Sequence, residues 1–340
     1  MKILVVAPSW VGDTVLAQPM FRLLHEQHAN LTLDVLAPPW TLPLLSRMPE
    51  VRRGIAARFG HGELKFGERR RLARELEAER YDQAIVLPNS LKSALIPLLA
   101  KIPMRTGFRG EMRYGLLNDL RTLDEKALPQ MAERFAALAF EHGKILPRPL
   151  PVPRLVSHKV DKENIVKKHI LTEDKPVAVF CPGAEYGPAK RWPAEYFGTL
   201  AKQLTQQGYA VWLIGSPKDT AIGEAIVQAS GGVCVNLCGK TALDEAIDLI
   251  ASAALVVTND SGLMHVAAAL DRPMLALYGS SSPAFTPPLS DKARIIKIDI
   301  ECSPCFKREC PLGHFKCMRD LTPEFVAKNL AALTAHATPE

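Results

Sequence analysis

The sequence predicts an α/β protein of two lobes, each built on a parallel sheet. Three observations carry this. Short apolar runs alternate with helical apolar spacing along most of the 340 residues, the pattern of repeated strand–helix units. The chain is longer than a single ordinary core accommodates. The alternation breaks once, at Pro147-Arg148-Pro149-Leu150-Pro151-Val152-Pro153, where four prolines in seven residues can continue neither a helix nor a central strand.

Before that break, strands are expected at residues 2–7, 31–37, 54–57 and 84–87. Helices are expected at 14–27, 68–79, 90–100 and 130–141. The proline run reads as the linker, so the first lobe spans 1–155 and the second 156–322. In the second lobe, strands are expected at 177–181, 210–214, 233–235, 255–258 and 274–277. Helices are expected at 193–207, 220–229, 242–253 and 261–270. A last helix over 323–337 closes the chain and has the option of packing back on the first lobe. Two such lobes suggest a ligand held between them.

Composition narrows the class. Hydrophobic residues at 47% and charged residues at 23% are ordinary for a globular protein. No apolar run approaches the ~18 residues of a membrane span. The apolar start, Ile3 to Val11, contains Pro8 and Ser9 and soon meets Asp13, unlike a secretory signal. A cytosolic location follows as the expectation, with the seven cysteines as thiols or metal ligands rather than disulfides. Charge is uneven. Residues 1–150 hold 22 Lys and Arg against 16 Asp and Glu, and the remainder holds 20 against 20, so the net +6 lies in the first half. Arg52, Arg53, Arg58, Arg69, Arg70, Arg71 and Arg74 form one dense group; Arg105, Arg109 and Arg113 form another. These are either solvated helix faces or a basic surface for an acidic partner or anionic membrane. No nucleic-acid recognition motif is present.

Four segments carry chemistry. Ser9-Trp10-Val11-Gly12-Asp13-Thr14-Val15 joins a strand to a helix, the ligand-facing corner of an open α/β sheet. It lacks a dinucleotide fingerprint and offers Asp13 as a general base or as a helix cap. Asn259-Asp260-Ser261-Gly262-Leu263-Met264-His265 also follows a strand and opens a helix. Asp260 or Ser261 could cap that helix, whose N-terminus suits a diphosphate. Gly262 permits close backbone approach, and His265 is either an anion contact or a buried helix histidine. Lys190 and Arg191, in the long turn before Pro193, add cations that suit phosphate. Gly215-Ser216 makes a third turn at a strand end. Gly239-Lys240-Thr241 is not a P-loop, because Cys234 stands where its first glycine is required. The fourth segment is Cys302-Ser303-Pro304-Cys305, with Cys310, His314 and Cys317. Its ligand types suit structural zinc, but the wide spacing also suits a packed thiol cluster.

Ser9-x-x-Gly12-Asp13-x-Val15, Lys190-Arg191-Trp192-Pro193 and Asp260-Ser261-Gly262-x-x-His265 together resemble the motifs of glycosyltransferase family 9, in the family's order. These are the ADP-heptose:lipopolysaccharide heptosyltransferases. The resemblance spans nearly the whole chain. The Cys302–Cys317 cluster is most similar to the branch that adds the second inner-core heptose. The resemblance implies a GT-B fold, with acceptor on the first lobe and ADP-heptose on the second. It implies inversion without an essential catalytic metal or other cofactor. Asp13 then matches the base, and Ser9 and Gly12 belong to its acceptor-side turn. Lys190 matches a donor-phosphate contact, and Asp260, Ser261, Gly262 and His265 match the donor turn. The family often has Thr where Ser261 stands, which keeps the hydroxyl. The implied acceptor is phosphorylated heptosyl-Kdo2-lipid A, reached from the cytosolic face of the membrane by a peripheral enzyme. Transfer to Kdo itself, epimerisation of a nucleotide sugar, or non-catalytic binding are the alternatives.

Overall fold

The computed structural model describes residues 1–58, 65–171 and 174–335. The chain divides into two compact units, Met1–Pro153 and Arg154–Glu340, at the end of the proline run.

The first unit starts with β1 (Lys2–Val6), then α1 (Val11–Leu16), α2 (Gln18–Gln27), β2 (Thr32–Ala37), α3 (Leu42–Leu45) and β3 (Arg53–Ala56). It continues with α4 (Phe66–Ala78), β4 (Gln83–Val86), α5 (Leu91–Leu99), β5 (Met104–Phe108), β6 (Asp119–Arg121) and α6 (Met131–Ala137). Its six described strands are parallel, in the order β3-β2-β1-β4-β5-β6. β1 is apolar on both faces because both are covered, as parallel sheets require. Leu4, Val6, Ala84 and Val86 pack under Ala73 and Leu76 of α4 and Ala94 and Ile96 of α5.

The helix expected over 14–27 is two helices. Pro19, in the first turn of α2, has no N–H to continue the ladder, and α1 ends at Ala17. α1 also starts three residues earlier than expected, which puts Gly12 and Asp13 in its first turn. β5 and β6 were not anticipated. Their residues, MRTGF and DLR, lack an apolar run.

The second unit runs α7 (Lys159–Lys168), β7 (Val177–Cys181), α8 (Ala194–Gln206), β8 (Ala210–Leu213), α9 (Thr220–Ala229), β9 (Cys234–Asn236) and α10 (Leu243–Ala251). Then come β10 (Leu255–Asn259), α11 (Gly262–Ala269), β11 (Met274–Tyr278), β12 (Ala293–Lys297), α12 (Lys316–Arg319) and α13 (Pro323–Ala335). The strand order β12-β11-β10-β7-β8-β9 repeats the first topology, again all parallel. In each sheet the order reverses next to the unit's first strand, at β1/β4 and at β7/β10. Helices leave such neighbours on opposite faces, which opens a crevice at their C-terminal ends.

α13 packs on α8 and β11, and its Val326 and Leu330 join the core that holds Leu200 and Leu204. The sequence left open a return of this helix to the first lobe; within the second unit its apolar face packs on α8 and β11. Residues 336 and 337 of the expected helix lie outside the described residues.

Candidate active site

Each strand-end turn singled out in the sequence can be rebuilt from its neighbours. In the first unit, Asp13 follows β1 at the switch point. Trp10, not Asp13, occupies the N-cap of α1 and makes no side-chain cap. Asp13 is therefore not the N-cap residue. It is a half-buried carboxylate in the first turn of α1. Gly12 is buried and Ser9 half-buried. The Ser9 carbonyl accepts a hydrogen bond from Trp40 Nε1 at 3.0 Å, so two exposed indoles, Trp10 and Trp40, flank this turn.

The neighbouring turn, after β4, is organised by Arg113. That residue is 1% exposed. Its Nη1 donates to the Pro88 carbonyl at 2.6 Å, and its Nη2 donates to the Phe108 carbonyl and to Asn89 Oδ1. Arg105 donates to the Ile102 and Leu116 carbonyls. The expected second basic group is thus largely internal scaffolding. Arg52 and Arg53 are likewise engaged by Asp34 and Glu79. At the end of β3, a hollow of about 280 Å³ is lined by Arg58, Arg71 and Leu72, with Glu68 and Glu75 on the same wall.

In the second unit the turns after β7, β10 and β11 are tied together. Asn259, buried at the end of β10, accepts from the Trp192 N–H at 3.1 Å and donates to the Pro182 carbonyl at 2.7 Å. It fixes the Pro182–Trp192 turn against the switch-point neighbour. Lys190 Nζ then lies 2.6 Å from Asp260 Oδ2, and both side chains are largely buried. Ser281 Oγ, from the turn after β11, donates to the same carboxylate oxygen. Asp260 thereby positions the Lys190 ammonium, which also lies 5.1 Å from the Tyr186 ring centroid.

Ser261 stands at the N-cap of α11 with extended backbone and makes no side-chain cap, and half-buried Gly262 begins the helix. Asp260 is therefore an ion-pair partner rather than the cap. His265 is buried, and desolvation pushes its pKa down to about 4, Asp260 opposing and Lys190 assisting. At neutral pH it is an uncharged imidazole, so it offers an anion at most an N–H.

The Gly215-Ser216 turn is occupied from within. Ser216 N–H and Oγ both donate to Asp219 Oδ2, at 2.9 and 2.7 Å. A Cβ on Gly183 would stand 2.4 Å from that same carboxylate, so both glycines make room for Asp219. The polar Ser280-Ser281 pair after β11 replaces it in the candidate site. Ser281 was missed in the sequence, although a polar run directly after an apolar strand was available as a signal.

The four thiols of the Cys302–Cys317 segment share one neighbourhood. Burial pushes Cys317 up to about 11, and Cys305, Cys302 and Cys310 add to that rise. Among the described residues, no three His, Cys, Asp or Glu side chains form a group able to hold a metal ion.

Residues 69–316 match the profile of glycosyltransferase family 9 (heptosyltransferase). The chain is 51% identical to lipopolysaccharide heptosyltransferase 2 of Salmonella typhimurium over 342 residues, covering 98% of each. It is 49% identical to lipooligosaccharide heptosyltransferase 2 of Haemophilus influenzae, covering 98% of this chain and 100% of the relative. The solved structure of E. coli ADP-heptose LPS heptosyltransferase II superposes with a TM-score of 0.89 at 48% identity, covering 99% of both chains. A more distant E. coli heptosyltransferase solved with ADP shares the fold, with a TM-score of 0.71 at 20% identity. A full-length match at this identity, together with two doubly wound units and motifs at their switch points, places the chain in glycosyltransferase family 9, the heptosyltransferases.

Proposed function

We propose that this heptosyltransferase of lipopolysaccharide inner-core biosynthesis takes L-glycero-D-manno-heptose from ADP-heptose. It places the sugar on the first heptose of heptosyl-Kdo2-lipid A. The observation that carries the donor half is the Lys190–Asp260 pair, held at 2.6 Å beside the N-terminus of α11 at a switch point. A fixed ammonium and a helix N-terminus suit a diphosphate, and both stabilise the charge that grows on it as the sugar departs.

The reaction is a single displacement. The acceptor hydroxyl oxygen attacks the anomeric carbon as its proton passes to the Asp13 carboxylate. The bond from that carbon to the diphosphate oxygen breaks on the opposite face, and ADP leaves with the electron pair. Inversion follows from the in-line geometry. Asp13 suits the base role because it is a partly accessible carboxylate in the first turn of α1, the helix that follows β1. The acceptor's phosphates would meet the basic first unit, Arg58 and Arg71 included. That unit would also hold the enzyme at the cytosolic membrane surface.

The test is purified protein with ADP-heptose, with and without heptosyl-Kdo2-lipid A, read by mass spectrometry. A gain of one heptosyl unit on the acceptor is expected. An altered sugar nucleotide without acceptor would mean epimerisation, and no turnover would mean a binding protein. Asp13→Asn should lower transfer by on the order of a hundred- to ten-thousand-fold with ADP affinity retained. Near-normal turnover would remove Asp13 from the base role.

A further inference from the structure

We propose that Arg308, carried by the cysteine-rich segment, is a donor-binding residue that supplies a second cation to the nucleoside diphosphate. The inference rests on the donor reading above.

The segment is laced into the two turns that form the Lys190 site. The Ala189 N–H donates to the Arg308 carbonyl at 3.0 Å, and the Phe306 N–H donates to the Ser280 carbonyl at 2.6 Å. Tyr186 Oη donates to the Phe306 carbonyl at 2.7 Å, and Ser303 Oγ donates to the Gly279 carbonyl at 2.8 Å. The turns are shaped to admit it. A Cβ on Gly187 would stand 2.4 Å from the Arg308 carbonyl oxygen, and one on Gly279 would stand 2.4 Å from Met318 Sδ. The residues that flank Lys190 and Ser281 are therefore set by this segment.

Its one arginine between the cysteines faces the same ring that Lys190 faces. The Arg308 guanidinium lies 5.4 Å from the Tyr186 centroid and the Lys190 ammonium 5.1 Å from it. The two cations differ in what else they hold. Lys190 is already paired with Asp260. Arg308 is exposed, and among the described residues its guanidinium makes no hydrogen bond or ion pair. A diphosphate carries more charge than one neutralised lysine can offset. A planar guanidinium with several N–H donors, steadied by an aromatic face, suits the remaining oxygens. Tyr186 is the positioning residue for both.

The test compares ADP binding to the full-length wild type and Arg308→Gln by calorimetry at low and high salt, with thermal unfolding measured alongside. Arg308→Gln should bind ADP about ten-fold more weakly at low salt, lose less affinity on adding salt, and keep the wild-type unfolding midpoint. Unchanged ADP affinity overturns the inference and leaves the donor reading intact. A lowered unfolding midpoint accompanying the lost affinity also overturns it, because Arg308 would then act through the packing of its segment. Wild-type protein that binds no ADP overturns the donor reading and this inference together.

Discussion

Cys310 shows how backbone geometry alone sets a side chain's chemistry. The Phe315 N–H approaches its sulfur at 3.4 Å, and the N–H groups of Leu312, His314 and Gly313 face it too. These donors favour the thiolate and hold the Cys310 pKa below the usual thiol range. Burial does the reverse at Cys181, Cys238 and Cys317. Brief treatment with iodoacetamide near neutral pH should therefore label Cys310 well before those three, as read by peptide mass spectrometry; labelling of Cys317 first would contradict this ordering. The difference was not legible in the spacing of the cysteines, because it depends on a loop that brings the amides of Leu312, Gly313, His314 and Phe315 to one sulfur. By contrast, the identity of Asp13 and Lys190 as candidate groups was legible. Each stands in the strand-to-helix segment that follows an apolar strand, where an open α/β sheet presents its ligand-facing groups.

At the level of the element, α11 joins local signals to long-range packing. Its start after Asp260 was readable from the strand–turn–helix pattern. The state of His265 was not, because its desolvation comes from the sheet beneath and the turns around it. Held near pKa 4 in the fold against about 6.5 when unfolded, His265 remains neutral in the folded chain while the unfolded chain takes up a proton. Its contribution to stability is thus complete above about pH 6.5 and is lost as the pH falls toward 4, at up to about 1.4 kcal/mol per pH unit. Urea unfolding between pH 7 and 4.5 should show a steeper loss for wild type than for His265→Gln. Parallel curves would mean that His265 does not titrate in that window. The edge strands mark the other limit of local reading. β12, ARIIK, is mostly exposed or half-buried. It pairs with β11 through backbone hydrogen bonds that no side-chain period announces.

Across the whole molecule the basic first half is partly a surface and partly a scaffold. Arg69 is 6% exposed, its Nη1 donates to the Lys92 carbonyl at 3.2 Å, and burial lowers its pKa. It does not belong to a membrane-facing patch, although the run Arg69-Arg70-Arg71 presented it as one. On a helix, consecutive residues point to different faces, so Arg70, Arg71 and Arg74 remain exposed while Arg69 turns inward. Neutralising those three to Gln should weaken binding to anionic vesicles at low salt by on the order of a hundred-fold, with ADP affinity unchanged. Sedimentation showing wild-type vesicle binding would make the three arginines a solvated face only.

The alternation of apolar runs and helices, the proline run and the strand-end motifs determined the two α/β units and the family from sequence alone. Each is a local pattern imposed by backbone geometry. Tertiary structure decided the rest: which arginines are scaffold, that Asp260 holds Lys190, that Asp219 fills the Gly215 turn, that α13 packs on α8 and β11, and that the cysteine-rich segment frames the turns around Lys190 and Ser281. Those are contacts across long stretches of chain, where burial and the need to satisfy each polar group choose among partners that the sequence leaves equivalent.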